Sequence, residues 1–144
     1  MRNKISILAL FILVAASGKT IAQNEKTAAA STAQKVDGPQ FKFKDGDTYD
    51  FGEIAKGPDA MHEFSFTNTG NQPLTIVDAK PSCSCTTPEW PKEAIAPGAT
   101  GVIKVGYHTT KPGPFFKEVY IQSNAVLPTD EKRYTIYIKG VVKE

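Results

Sequence analysis

Apolar and polar side chains alternate along most of this chain. His62, Phe64 and Phe66 are interleaved with Met61, Glu63 and Ser65, and Ile103, Val105 and Tyr107 with Val102, Lys104 and Gly106. A period of two sends successive side chains to opposite faces, so these runs predict half-buried strands. The same pattern recurs at Tyr49 and Phe51, at Leu74 and Ile76, at Val119 and Ile121, and at Tyr134, Ile136, Ile138 and Val142. Between the runs stand Lys56-Gly57-Pro58-Asp59, Asn68-Thr69-Gly70-Asn71, Ala96-Pro97-Gly98 and Lys111-Pro112-Gly113-Pro114. These stretches combine the preset φ of Pro with the positive φ that Gly and Asn tolerate, and so predict turns. About seven short strands within roughly 100 residues, without the spacing of strand-helix-strand units, predict an all-β fold, an immunoglobulin-like antiparallel β-sandwich.

The ends of the chain read differently. Arg2 and Lys4 precede an apolar run from Ile5 to Ala16, followed by small residues up to Ala22. That order predicts a signal peptide over residues 1–22, cut between Ala22 and Gln23, with Ala16 as the alternative cut. The run is shorter than the roughly 18 apolar residues a membrane-spanning helix needs. Residues 23–40 are rich in Ala, Thr, Gln and Lys and almost devoid of large apolar side chains. They are expected to form a disordered linker, leaving residues 41–144 as one sandwich domain. Of the seventeen basic residues, Arg2, Lys4 and Lys19 belong to the leader, so the remainder carries fourteen basic against fifteen acidic residues. A charge of that size and sign leaves no basic stripe for nucleic acid. The expected location is outside the cytosol, periplasmic or extracellular, with no transmembrane segment in the mature chain.

Chemistry has few places to reside. The sequence holds two cysteines, Cys83 and Cys85, in a C-x-C motif. In an ideal strand their Cα atoms would be roughly 6.5 to 7 Å apart, beyond the usual disulfide span, so a bridge requires a bend; Pro81 and Ser82 offer one. Three uses stay open for the pair: a structural or inert one, a redox-active dithiol, and a Cu(I) or other metal site drawing on Met61, His62 or His108. His62, alternating with Phe64 and Phe66, reads as a strand residue, and His108 as part of a strand-end turn. Asp45, Asp47, Asp50 and Glu53 read as an exposed strand start, since the spacing of a calcium loop is missing. No nucleophile elbow, zinc-binding helix or phosphate loop occurs, so no enzyme activity and no cofactor are expected. Trp90 lies between Pro88 and Pro91, which predicts a loop or edge position.

Phe51-Gly52-Glu53-Ile54, Phe64-Ser65-Phe66-Thr67-Asn68-Thr69-Gly70, Cys83-Ser84-Cys85-Thr86-Thr87-Pro88, Ile95-Ala96-Pro97-Gly98, Lys111-Pro112-Gly113-Pro114-Phe115 and Ser123-Asn124 follow in that order. Together they resemble the exported bacterial family DUF1573 from about Tyr49 to Val142. That family looks similar to the immunoglobulin-like domains of pilus chaperones and cilium-associated proteins. The resemblance implies the fold and carries no activity. The chain departs from it where Ser84 replaces a frequent Gly and His108 a frequent Asp or Asn. Ser admits a tight turn less readily than Gly.

Two functions follow. One is a noncatalytic binding or assembly module of the cell envelope, whose edge strands or end loops meet an envelope protein or a glycan. Its candidate contact residues are Trp90, Asn68, Asn71, Phe115 and Phe116, and because Phe115 and Phe116 are adjacent in a strand, one of them is expected outside the core. The other is thiol redox or metal handling at Cys83 and Cys85.

Overall fold

The computed structural model describes residues 37–127 and 133–144. Its strands are β1 (Phe41–Phe43), β2 (Thr48–Ala55), β3 (Ala60–Asn68), β4 (Ile76–Pro81), β5 (Thr86–Glu89), β6 (Thr100–Tyr107), β7 (Gly113–Ser123) and β8 (Tyr134–Lys143). They form two four-stranded sheets, ordered β1-β3-β6-β5 and β2-β8-β7-β4, and no helix occurs among the described residues. The inward side chains meet in one core that includes Phe64, Phe66, Leu74, Ile103, Val105, Val119, Ile121, Ile136 and Ile138. The period-two reading therefore holds: alternate residues of β3, β6, β7 and β8 are the ones removed from water.

The eight strands exceed the expected seven because β1 and β5 are short. One pairing also departs from the antiparallel expectation, since β2 runs parallel to β8. A hairpin would force neighbours to be antiparallel. None joins these two: β2 follows β1 of the opposite sheet and β8 follows β7.

The packed region begins earlier than the predicted boundary at residue 41. Gly38 and Pro39 are buried, Gly38 N donates to Asn71 Oδ1 at 2.8 Å, and Val126 N donates to the Pro39 carbonyl at 2.8 Å. Residues 37–40 thus belong to the domain rather than to a linker. Hydrophobicity could not show this, because backbone hydrogen bonds hold the segment. The predicted leader, and the linker through residue 36, lie outside the described residues.

His62 occupies an inward position on β3, its ring stacked on Tyr49 with centroids 3.4 Å apart. Burial holds its imidazole below the usual value, against the opposing pull of Asp45 and Glu63. A histidine depressed in the folded state binds its proton more readily when unfolded, so its effect is absent above about pH 6.5 and destabilising below it. Thermal melts from about pH 8 down to pH 5 should show wild type losing stability faster than His62→Phe. Parallel curves would contradict this.

Candidate functional site

β4 ends one sheet and β5 begins an edge of the other, so the chain must cross between layers at residues 82–85. Pro81 opposes Val119 on β7 and has no N–H to extend the ladder. Beyond it Ser82 N donates to the Glu118 carbonyl at 2.8 Å, and Glu118 N donates to Ser82 Oγ at 3.1 Å. On the other side His108 N donates to the Cys85 carbonyl at 2.9 Å. The turn brings the Cα atoms of Cys83 and Cys85 to 5.3 Å, and the two sulfurs are bonded. Ser84 is thus compatible with the bend. A three-residue loop has little conformational freedom to lose, so the chain-entropy relation gives the bridge about 1.6 kcal/mol, against about 3 kcal/mol for a 15-residue loop.

The residues named as possible metal partners lie elsewhere. Met61 faces outward over Gly106, His62 is stacked on Tyr49, and His108 Nδ1 contacts Asp59 Oδ1 at 2.9 Å. Among the described residues no three His, Cys, Asp or Glu side chains converge as a metal site would require. The acidic residues near β2 are used locally. Asp50 accepts from Gly52 N at 2.8 Å, which holds its carboxyl below the usual range, and Glu53 pairs with Lys143.

The predicted contact residues separate into distinct roles. Asn68 is fully buried: its Oδ1 accepts from Gln40 N and Gly70 N, and its Nδ2 donates to the carbonyls of Gln72 and Ile95. It has no group free for a partner, so its assignment as a contact is corrected. Asn71 is exposed, with its amide hydrogen-bonded to Asp37 and Gly38. Phe115 is buried at 7% exposure and Phe116 lies outside at 57%, as their adjacency requires.

Trp90 follows β5 at the end away from the bridge and is half-buried against the core. Lys92 Nζ lies 3.2 Å from its ring centroid. The indole Nε1 is buried without a hydrogen-bond partner among the described residues. Beside it opens a groove of about 430 Å³ lined by Trp90, Pro91, Ile95, Thr100, Val102 and Lys104, among others.

The groove exists because β5 is too short for its neighbour. β3 covers β6 from Thr100 to Tyr107, whereas β5 reaches only from Tyr107 to Lys104. Continuing that register would set Pro91 opposite Val102, and Pro91 cannot donate. Asn68 N donates to the Ala99 carbonyl, and His108 N to the Cys85 carbonyl. With the alternation of an antiparallel ladder, both bonds assign the backbone groups of Gly101 and Ile103 to β3 and those of Thr100 and Val102 to the opposite side. There they meet no strand among the described residues.

The outermost strands carry devices that blunt an edge. β1 has three residues, β2 carries a bulge at Gly52, whose φ is 64°, and β4 combines a bulge with Pro81. β5 turns Pro88 outward, where an N–H would otherwise be free. Short strands, bulges and prolines are the devices that stop sheets from pairing edge to edge. The Thr100–Val102 stretch has none of them; among the described residues the same is true of Met61–Glu63 on β3, which β1 covers only over Phe66–Asn68, but Thr100 and Val102 alone also line the groove beside Trp90. The side-chain pattern missed this feature, although the Pro88 and Pro91 spacing beside the longer β6 run carried the signal.

The profile of the family described as "Protein of unknown function (DUF1573)" matches residues 41–142. No functionally curated protein matches the chain. Among solved structures, a protein of unknown function from Porphyromonas gingivalis W83 is similar, with TM-score 0.61 and 13% identity over 78% of this chain and 51% of that one. The secreted serine protease VesC from Vibrio cholerae gives TM-score 0.55 and 15% identity over 72% of this chain and 23% of that one. The chain thus spans about half of the first protein and under a quarter of the second. The PapD-like domain 7 of human CEP192 gives TM-score 0.57 and 9% identity over 93% of this chain and 98% of that domain. At these identities the likeness shows the fold alone, an immunoglobulin-like β-sandwich.

Proposed function

We propose that this chain, which belongs to the DUF1573 family, is a noncatalytic binding module of the cell envelope that receives an extended segment of another protein along the open edge of β6. The carrying observation is the backbone of Thr100 and Val102, which no strand among the described residues covers, beside the groove at Trp90. An extended peptide continuing β5 would supply the N–H and C=O groups this edge lacks, and its side chains would enter the groove beside Trp90. A glycan could not continue the backbone ladder. The leader expected at residues 1–22 supports an exported location, and among the described residues no helix is long and apolar enough to cross a membrane.

Val102→Pro tests this reading without disturbing the β3 ladder, because the N–H removed points to the open side. Linear peptides selected by display against the wild-type domain should bind Val102→Pro about tenfold or more weakly, the scale of one lost hydrogen bond with a buried partner left unpaired. The melting temperature should stay near that of wild type. Selected peptides that bind both proteins equally, or that lose affinity on Phe116→Ala instead, would overturn the assignment.

A further inference from the structure

The cysteine bridge has no part in strand docking and adds little to the fold, yet its surroundings are organised. Hydrogen bonds at Ser82 and Cys85 fix the backbone on both sides of the turn, and none of them involves sulfur. Opening the bond therefore leaves Cys83 and Cys85 within bonding reach. Both residues are half-buried, so neither is sealed from a reaction partner. They are not equivalent. The Thr86 hydroxyl lies 3.5 Å from Cys83 Sγ and can donate to it, whereas Cys85 packs against the hydrophobic core. A hydroxyl donor stabilises a thiolate and apolar packing disfavours one.

We propose that Cys83 and Cys85 form a thiol–disulfide exchange site acting on protein disulfides, with Cys83 as the attacking thiol and Cys85 as the resolving one. In the reduced pair, the Cys83 thiolate attacks one sulfur of a substrate disulfide. A mixed disulfide forms, and the other substrate sulfur departs as a thiolate that takes up a proton. Cys85 then loses its proton and attacks Cys83 Sγ, which closes the internal bridge and releases the second substrate thiol. The substrate gains two electrons and two protons, and the pair loses them. A dithiol reductant returns the bridge to the reduced state by the reverse exchange and is itself oxidised to a disulfide.

Four measurements on the folded protein test this. Dithiothreitol should reduce the bridge without denaturant and leave the circular dichroism spectrum unchanged, and catalytic amounts of the protein should accelerate reduction of insulin disulfides by dithiothreitol. Cys85→Ser should accumulate a mixed disulfide with oxidised glutathione through Cys83, while Cys83→Ser should form it about threefold more slowly at neutral pH, a one-unit gap in thiol acidity being partly offset by the weaker nucleophilicity of the more acidic thiolate. In Cys85→Ser, replacing Thr86 by Val should move the pH profile of Cys83 alkylation upward. A bridge that is reduced only on unfolding, no acceleration of insulin reduction, or equal rates of adduct formation by the two single variants would each overturn the proposal. None of these results touches Val102→Pro, so exchange and docking fail independently.

Discussion

Asn68→Ala is expected to destabilise the domain by about 3 to 5 kcal/mol, a large share of the stability of a single domain. The side chain is fully buried and joins four backbone groups on three segments: Gln40 ahead of β1, Gly70 and Gln72 in the turn after β3, and Ile95 in the long connection from β5 to β6. Ile95 also exchanges backbone hydrogen bonds with Leu74 at 2.9 and 2.8 Å. Alanine removes four hydrogen bonds at once, two donated by Nδ2 and two accepted by Oδ1, and leaves their partners unpaired at a buried site, each at about 1 to 3 kcal/mol, with water recovering some of this. Asn68→Asp separates hydrogen bonding from size. It retains the acceptor toward Gln40 and Gly70 but turns a carboxylate oxygen toward the carbonyls of Gln72 and Ile95. Burial and that repulsion raise the folded-state pKa of the new acid, so its stability should improve as pH falls and worsen as pH rises. Chemical denaturation at several pH values measures both variants, and near-neutral results would show that Asn68 does not bracket these segments.

The second large effect is a contrast between neighbours. Phe115→Ala should cost about 3 to 5 kcal/mol, while Phe116→Ala should change stability by no more than about 0.5 kcal/mol. Phe115 stacks on Tyr107 with ring centroids 3.9 Å apart and lies near Phe51. Its removal empties space between the sheets. Phe116 lies on the outer face of β7, 57% exposed, with the Tyr137 ring beside it at a centroid distance of 5.5 Å. Equal losses in urea titrations of the two variants would mean that β7 does not present alternating faces.

The parts of the fold that depend on side-chain period were legible in the residues themselves. Phe64 and Phe66, Ile103 and Val105, and Ile136 and Ile138 alternate with polar neighbours, and all six are buried. The parts that depend on backbone pairing were not. Phe41–Phe43 and Thr86–Glu89 are too short to display a period, and the parallel pairing of β2 with β8 is a matter of topology. The same division runs through the site. Trp90 was placed outside the deep core from its flanking prolines, and one of Phe115 and Phe116 was placed outside from their adjacency. Asn68, in contrast, sits in a turn-forming stretch that reads as solvent-facing, and only the approach of residues distant in sequence makes it an interior bracket. The disulfide needed a bend whose depth no spacing rule could supply. The open edge of β6 is an absence of partners, visible only once the end of β5 is located.

Amide hydrogen exchange at Val102 in the free protein tests the open edge most directly. If β6 lacks a neighbour there, the Val102 N–H should exchange on the order of a hundredfold or more faster than those of Gly101 and Ile103, which are bonded to β3, and it should slow when a selected extended peptide binds. A Val102 amide as protected as Ile103 in the free protein would show that this edge is already closed, and the docking reading would fail with it.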